Sequence, residues 1–326
     1  MNVLITGGAG YIGSHVALEY LKENCKVTLI DNLELGNKNL VPDSAELVIC
    51  DISDEREITK LIKEKKFDIA IHLAAYTKVG ESVKNPEKYF NNNYTKAIKF
   101  FDICVKNNLK KFIFSSTGAV YGNSNSKNFL ENDTKNPINP YSESKLKTEN
   151  YLKSLSNKKD VQAISLRYFN VAGSDSLLRS GLVTNPDNLI KAICEFIVGK
   201  RDEFIVNGNN YNTPDGTTIR DFIHVVDLAN IHYMVSNKLL ENKNHFYDVY
   251  NCGYGAGYSV MEILKKFEEI IQHKINFKIG KRREGDAEIS VANVTKLSKD
   301  FLWKPKFNNL KVILESSLAW EKKIKL

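Results

Sequence analysis

Six short runs rich in β-branched and aromatic residues recur along the first half of the chain: NVLIT (2–6), KVTLIDN (26–32), ELVICDI (46–52), DIAIHLAA (68–75), KKFIFSST (110–117) and VQAISLRYF (161–169). A strand with one face in water alternates polar and apolar residues, so runs that stay apolar at successive positions describe strands buried on both faces. Helical patterns stand between them: SHVALEYLKE, EREITKLIKEK and PEKYFNNNYTKAIKFFDICVKNN, the last with Pro86 where a helix favours it, in its first turn. Strand alternating with helix predicts an α/β fold with a doubly wound parallel sheet of the Rossmann type. After about residue 170 the rhythm loosens into turn-rich pieces such as NGNNYNTPDGTT and NCGYGAGYS, which predicts a smaller mixed α/β C-terminal lobe. The expected division is therefore 1–170 for the first domain and 171–326 for the lobe. The stretch 219–250, which opens with a further strand and helix at 219–235, is expected to rejoin the first domain.

Directly after the first run comes GGAGYIGSH, with glycines at Gly7, Gly10 and Gly13. A glycine turn between a first strand and a first helix lets the backbone approach a pyrophosphate with no Cβ in the way. The helix N-terminus adds unpaired N–H groups and the positive end of its dipole. Glycines at this spacing also serve merely to pack a helix on a strand, so the context has to decide. The second run ends in Asp31, eighteen residues after Gly13, where a dinucleotide fold places the acid that takes the ribose hydroxyls. Asn32, Leu33 and Glu34 provide no arginine for a 2′-phosphate, which favours NAD over NADP. Asp51, read as the end of the third strand, suits either an adenine edge or a helix cap.

Bulk composition narrows the class without naming it. With 326 residues, 42% hydrophobic and 26% charged, the chain is in the globular range. Its net charge of +7 is spread over scattered lysines, which suits capture of a small anion and falls short of a nucleic-acid stripe. No apolar run is long enough for a membrane span. Five dispersed cysteines without a C-x-x-C pair, and a start that reads as strand and turn with no signal pattern, predict a reduced, cytoplasmic protein. Neither the cysteines nor the six histidines show metal-ligand spacing. His72 reads as a core or cofactor-flanking residue, and Trp320 in the amphipathic closing segment reads as lobe core.

NPYSESK places Tyr141 and Lys145 four residues apart, on one face of a helix. That spacing is common by chance, but this pair follows a strand ending in Ser115, Ser116 and Thr117, at the carboxyl edge where such sheets bind ligands. A nearby ammonium together with a positive nicotinamide ring favours the phenolate. Tyr141 then becomes a usable general base, with Thr117 holding the same substrate oxygen.

At these residues the chain resembles the extended short-chain dehydrogenase/reductases, and within them the UDP-glucose (UDP-galactose) 4-epimerases. The likeness also runs through HLAA (72–75), VGESVKNPEKYFNNN (79–93), FSSTGAVYG, LRYFNVAG (166–173), GNNYNTPDGTTIRDFIHVVDLA and RREGD (282–286), the second-lobe strings being the most specific. The resemblance implies a permanently held NAD, a UDP-sugar substrate lying across the lobe junction, and a homodimer built through a helical bundle. Carried over by position, it implies cofactor contacts from Gly7, Gly10, Tyr11, Ile12, Gly13, Asp31, Asn32, Asp51, Ile52, Ala74, Ala75, Asn93, Ser115 and Tyr168. Thr117 and Tyr141 are implied as the hydroxyl pair at the sugar O4, with Lys145 also touching the nicotinamide ribose. Asn170, Asn188, Leu189, Arg220, Arg283 and Asp286 match the UDP-binding set, the two arginines facing the diphosphate. A structural ion pair between Arg220 and Asp221 is the competing assignment for that arginine. The implied mechanism is redox-neutral: Tyr141 takes the O4 proton as the C4 hydride passes to NAD, and the 4-ketose swings about its phosphate linkage to be reduced on its other face.

The chain departs from the family at several positions. A lysine common in the segment corresponding to Tyr76-Thr77-Lys78 is replaced by Thr77, with Lys78 one place on. Thr117 is followed by Gly118 and Ala119, without the Asp-Glu pair that a 4,6-dehydratase of the same superfamily uses. A non-catalytic dinucleotide sensor is disfavoured because both Tyr141 and Lys145 are present. Four residues after Asp286 stands Ser290, where relatives restricted to unacetylated sugars carry a bulky tyrosine. The small side chain removes a wall from the sugar pocket, which predicts that UDP-GlcNAc and UDP-GalNAc are accepted as well. Ser290→Tyr should lower turnover of the acetylated pair about tenfold or more while sparing UDP-glucose and UDP-galactose. Assays of both pairs check this, and equal effects on the two remove the gate.

Overall fold

Each of the six apolar runs forms a strand of one parallel sheet, and a seventh strand joins them at its edge. The computed structural model describes residues 1–123, 128–183, 187–242 and 244–324. Along the first half the order is β1 (Asn2–Thr6), α1 (Tyr11–Lys22), β2 (Lys26–Asp31), β3 (Glu46–Ile49), α2 (Glu55–Lys65), β4 (Ile69–His72), α3 (Val79–Lys84), α4 (Pro86–Phe90), α5 (Ala97–Lys106), β5 (Lys111–Thr117), α6 (Pro140–Lys159) and β6 (Gln162–Tyr168). The second half runs β7 (Asn170–Ala172), α7 (Leu189–Ile197), β8 (Ile205–Asn207), β9 (Ile219–His224), α8 (Val225–Glu241), β10 (Phe246–Cys252), β11 (Gly257–Ser259), α9 (Val260–Ile271), β12 (Lys278–Gly280), β13 (Ile289–Ser290), α10 (Thr295–Phe301) and α11 (Leu310–Lys323).

The large sheet has the order β3-β2-β1-β4-β5-β6-β10, every adjacent pair parallel. Successive side chains of a strand point to opposite faces, so each apolar run feeds two cores at once. Val3 and Ile5 join one cluster while Leu4 joins the other, and Ile113 is separated in the same way from Phe112 and Phe114. On the first face α1 and α8 pack together through Val16, Ala17, Tyr20, Ile231, Val235 and Leu239. On the second, α2, α5 and α6 supply Ile58, Leu61, Phe100, Phe101 and Leu152. Side-chain caps fix where several helices begin: Asp54 accepts from the Arg56 and Glu57 amides, and Asn139 from Ser142.

The structure departs from the sequence expectation at both ends of the large sheet. β3 stops at Ile49, short of the expected 52, because this half-exposed edge strand has no outer neighbour to pair a longer segment. Asp51 therefore lies beyond the strand. It does not cap α2, which Asp54 does, but accepts from the Ser53 amide at 2.9 Å and the Lys96 ammonium at 2.6 Å. At the opposite edge, β10 had no clear sequence signature because Asp248 and Asn251 interrupt it. Both polar groups are matched in place, Asp248 by Lys296 and Asn251 by the Tyr121 hydroxyl and the Phe129 carbonyl. In the 219–235 stretch, β9 lies in a four-stranded second sheet with β7, β11 and β13, while α8 returns to pack on α1. A third core beneath that sheet gathers α7, α9 and α11, including Ile193, Phe267 and Leu314. Trp320 is buried and donates to the Leu182 carbonyl at 3.1 Å. No described helix is long and apolar enough to cross a membrane, and no described group of His, Cys, Asp or Glu is placed to hold a metal.

Four histidines are sealed in this interior. Burial lowers His15, His224 and His232 to about 4 and His72 to about 3. These values lie below the unfolded value near 6.5, so on acidification the unfolded chain takes up protons first. The stability they protect is full above pH 6.5 and is lost as pH falls toward the folded values, at about 1.4 kcal/mol per pH unit for each histidine. Thermal melts at pH 7, 6 and 5 should show a progressive fall in Tm before most carboxylates titrate. A flat profile overturns this account.

Candidate active site

The glycine turn sits between the carboxyl end of β1 and the start of α1. Gly7 has φ +69°, and a Cβ there would lie 2.7 Å from the Ala74 amide nitrogen; a Cβ on Gly13 would lie 2.1 Å from the Gly7 carbonyl oxygen. A side chain at Gly7 would collide with the backbone just after β4, and one at Gly13 would push α1 off the turn. Gly10 begins α1 with no side-chain cap, leaving the first turn to a ligand. Asp31, at the end of β2, is buried and accepts from the amides of Ala9 at 3.0 Å and Leu33 at 2.9 Å. Burial raises its pKa and those two bonds pull it back. Its carboxylate retains acceptor capacity for sugar hydroxyls.

A cavity of about 1060 Å³ runs from this turn to the second lobe. Near its middle, Thr117 ends β5 and Tyr141 lies in the first turn of α6, both lining the cavity. Lys145, one turn further, is almost fully buried and donates to the Ser115 carbonyl at 2.8 Å. Burial raises the Tyr141 phenol, with Thr117 opposing it, and lowers Lys145 to about 7, with Glu149 opposing. The sequence had suggested an ammonium drawing the phenol down; in the protein alone, desolvation dominates and only Thr117 opposes it.

One more turn along α6, Glu149 forms a buried bidentate pair with Arg167 of β6, at 2.9 and 2.6 Å, and also accepts from the Ser116 hydroxyl. Arg167 donates in addition to the Tyr121 hydroxyl at 2.8 Å. This network anchors the helix bearing Tyr141 and Lys145 to the strand bearing Thr117. Tyr121, stacked on Phe129 at 4.7 Å, belongs to it and is packing in kind. Toward the glycine turn, the Tyr168 hydroxyl sits 2.5 Å from His232 Nε2. His72 is core, its Nδ1 2.8 Å from the Thr6 hydroxyl.

At the far end of the cavity stand Asn170, Asn188, Arg220, Asp286 and Ser290. Arg220 donates to the carbonyls of Ile219 and Ala287 at 2.9 and 2.6 Å and lies 3.7 Å from Asp286. The alternative pairing of Arg220 with Asp221 does not occur, because neighbours in β9 face opposite ways. Asp221 is buried on the other face and accepts the amides of Tyr254, Gly255 and Ala292. Ser290 pairs in register with Arg220 across β13 and β9, so the small residue lies beside the guanidinium strand.

Most of the residues expected from sequence meet in this one cavity: Gly7, Gly10, Tyr11, Ile12, Gly13, Asp31, Asn32, Asp51, Ile52, Ala74, Ala75, Ser115, Thr117, Tyr141, Lys145, Tyr168 and the five at its far end. Asn93, Leu189 and Arg283 do not line it. Asn93 is buried in a π-helical turn and clamps the backbone of Tyr76 through two 2.9 Å bonds. Leu189 opens α7, and Arg283 is exposed and donates to the Asp187 carbonyl at 3.1 Å. Sequence reasoning missed Gly36, where a Cβ would lie 2.5 Å from the Asp31 carboxylate; its one available signal was a glycine five residues after that acid. Phe169, which the sequence left between packing and function, lines the cavity, as does Ile138, which sequence reasoning passed over.

Comparison with known proteins agrees with this geometry. Residues 3–253 match the NAD dependent epimerase/dehydratase family. The UDP-glucose 4-epimerase of Azospirillum brasilense is 36% identical over 99% of this chain and 92% of its own. Among solved structures, UDP-glucose 4-epimerase from Bifidobacterium longum in complex with NAD+ and UDP superposes with a TM-score of 0.93 at 34% identity, covering 99% of this chain and 98% of that one. The UDP-Glc/GlcNAc 4-epimerase of Campylobacter jejuni gives 0.83 at 37% identity, covering 99% of each chain. The chain thus belongs to the NAD dependent epimerase/dehydratase family, and within it to the UDP-glucose 4-epimerases.

Proposed function

We propose that this protein inverts C4 of a UDP-hexose, interconverting UDP-glucose and UDP-galactose through a transient 4-keto sugar with NAD as resident cofactor. The observation that carries this reading is the hydroxyl pair of Thr117 and Tyr141, set midway along one cavity between the glycine turn and Arg220. Thr117 and Tyr141 grip the O4 hydroxyl, and Tyr141 takes its proton, while Lys145 beneath them orients the site from the Ser115 carbonyl. When bound, NAD supplies the reversible hydride acceptor and a positive ring charge that offsets the burial of the phenol. Gly10, Tyr11 and Ile12 hold the dinucleotide phosphates at the uncapped start of α1, and Asp31 takes a ribose.

The far end acts as the anchor. Arg220 holds the diphosphate, with Asn170, Asn188 and Asp286 lining a nucleotide site drawn from the second lobe, 171–326, and its border; Arg283 and Leu189, which lie outside the lining, complete it from the side, the arginine toward the diphosphate and the leucine toward the uridine. The sugar is gripped only at O4, so it is free to turn over between oxidation and reduction. Ser290 leaves this region without a bulky wall, which favours the acetylated sugars as additional substrates, and the Campylobacter jejuni relative supports that reading. Five unpaired cysteines suit a reducing cytoplasm. Helices α5 and α6, bridged by Tyr151 and Asp102 at 2.6 Å, offer a two-helix face for a homodimer.

Purified protein given UDP-galactose without added cofactor should yield UDP-glucose with no net NADH, and Tyr141→Phe should lower kcat by about 10²–10⁴. Product chromatography and absorbance at 340 nm check both. A 4-keto-6-deoxy product, or undiminished turnover by the phenylalanine variant, overturns the reading.

A further inference from the structure

Sheet order carries a consequence for the cofactor beyond the residues that touch its phosphates and riboses. β1 lies between β2 and β4, so the loops that follow β2 and β4 flank the glycine turn at the end of β1. These two loops are joined to each other. The Tyr76 hydroxyl, on the loop after β4, donates to Glu34 Oε1, on the loop after β2, at 2.6 Å, and both side chains line the cavity. The bond therefore spans the crevice above the turn where a pyrophosphate rests.

Both ends of this span are rooted in the fold. The backbone of Tyr76 is clamped by buried Asn93, and the Tyr76 ring lies under the Lys88 ammonium at 4.1 Å and beside Tyr89 at 5.7 Å. Lys88 is itself tied to Glu81 at 2.9 Å. On the opposite bank, the Glu34 amide donates to the Asn32 side chain at 3.1 Å, and Leu33 next to it donates to Asp31. The ring is thus oriented before any ligand arrives, and the carboxylate follows directly on the ribose-binding acid. A dinucleotide seated on the turn would have these two loops on either side, joined to each other by this bond.

We propose that Glu34 and Tyr76 form a strap across the dinucleotide crevice that slows the escape of NAD, making them cofactor-retention residues. The proposal rests on NAD being the resident cofactor and adds nothing to the sugar chemistry. Breaking the bond removes a barrier to release while leaving the glycine turn and Asp31 untouched.

The test uses holoenzyme freed of excess NAD, with the NAD appearing in ultrafiltrates counted by chromatography over time. Tyr76→Phe, which keeps the ring, and Glu34→Ala, on the other bank, should each release NAD about tenfold to a hundredfold faster, the range expected for a hydrogen bond to a charged acceptor. The double variant should be no faster than the single ones, because all three lose the same bond. Release at the parent rate in both single variants overturns the proposal, as does a fully multiplicative double variant. Sugar turnover does not enter this measurement, so its result is independent of whether UDP-hexoses are epimerised.

Discussion

The buried ion pair between Glu149 and Arg167 is the constraint on which the geometry of this site depends. Tyr141, Lys145 and Glu149 follow one another at four-residue spacing along α6, and only the last is locked to the sheet by charge. Side chains this enclosed, 4% and 3% exposed, cannot lose a partner cheaply: an orphaned buried charge costs about 3–5 kcal/mol. The pair contributes position more than net stability. It sets the rotation and height of α6 against β5 and β6, and with them the distance between the phenol and the Thr117 hydroxyl. Tyr121, Asn251 and Ser116 extend the network across the sheet, so the helix bearing Tyr141 and Lys145 rests on three adjacent strands, β5, β6 and β10.

A parallel sheet brings all its strand ends to one edge, and that edge explains why residues distant in sequence share a cavity. The sheet grows outward from β1 in both directions, so the loops after β1, β2 and β4 open around a common crevice. Gly7, Asp31 and Ala74 meet there. β5 and β6 extend the same edge toward Thr117 and Tyr168, and the short β7 then leads the chain into the second sheet, where Arg220 and Ser290 lie side by side. The two halves of the site thus differ in construction. The half around the glycine turn is built from backbone turns and one carboxylate. The far half uses long side chains from a smaller sheet, with Arg220 already held by backbone carbonyls in the pose it presents to the cavity.

Much of this was legible in the sequence. Apolar runs of strand length, interrupted by helical periodicity, describe a doubly wound sheet because few other folds bury both faces of a strand, and all six runs are strands. What resisted reading has specific causes. β10 was obscured by Asp248 and Asn251, whose partners come from α10 and from the loop before α6. The stopping point of β3 depended on its being an edge. Asn93 bonds the backbone of Tyr76 through its amide, an arrangement visible only when its π-helical turn and the loop after β4 are brought together.

The sequence by itself determined the periodicities, the places where a Cβ is forbidden, and the chemical groups available: a phenol and an ammonium on one helical face, a hydroxyl at a strand end, an acid after the second strand. These are local properties, set within a few residues by backbone sterics and side-chain chemistry. Only the tertiary structure decided how those groups behave. Burial set the directions in which Tyr141 and Lys145 shift, because desolvation depends on what surrounds a group and not on its neighbours in the chain. Likewise Arg220 faces the cavity while Asp221 faces the core, and Glu34 reaches Tyr76 across 42 residues of sequence, because strand order brings distant loops to a single edge.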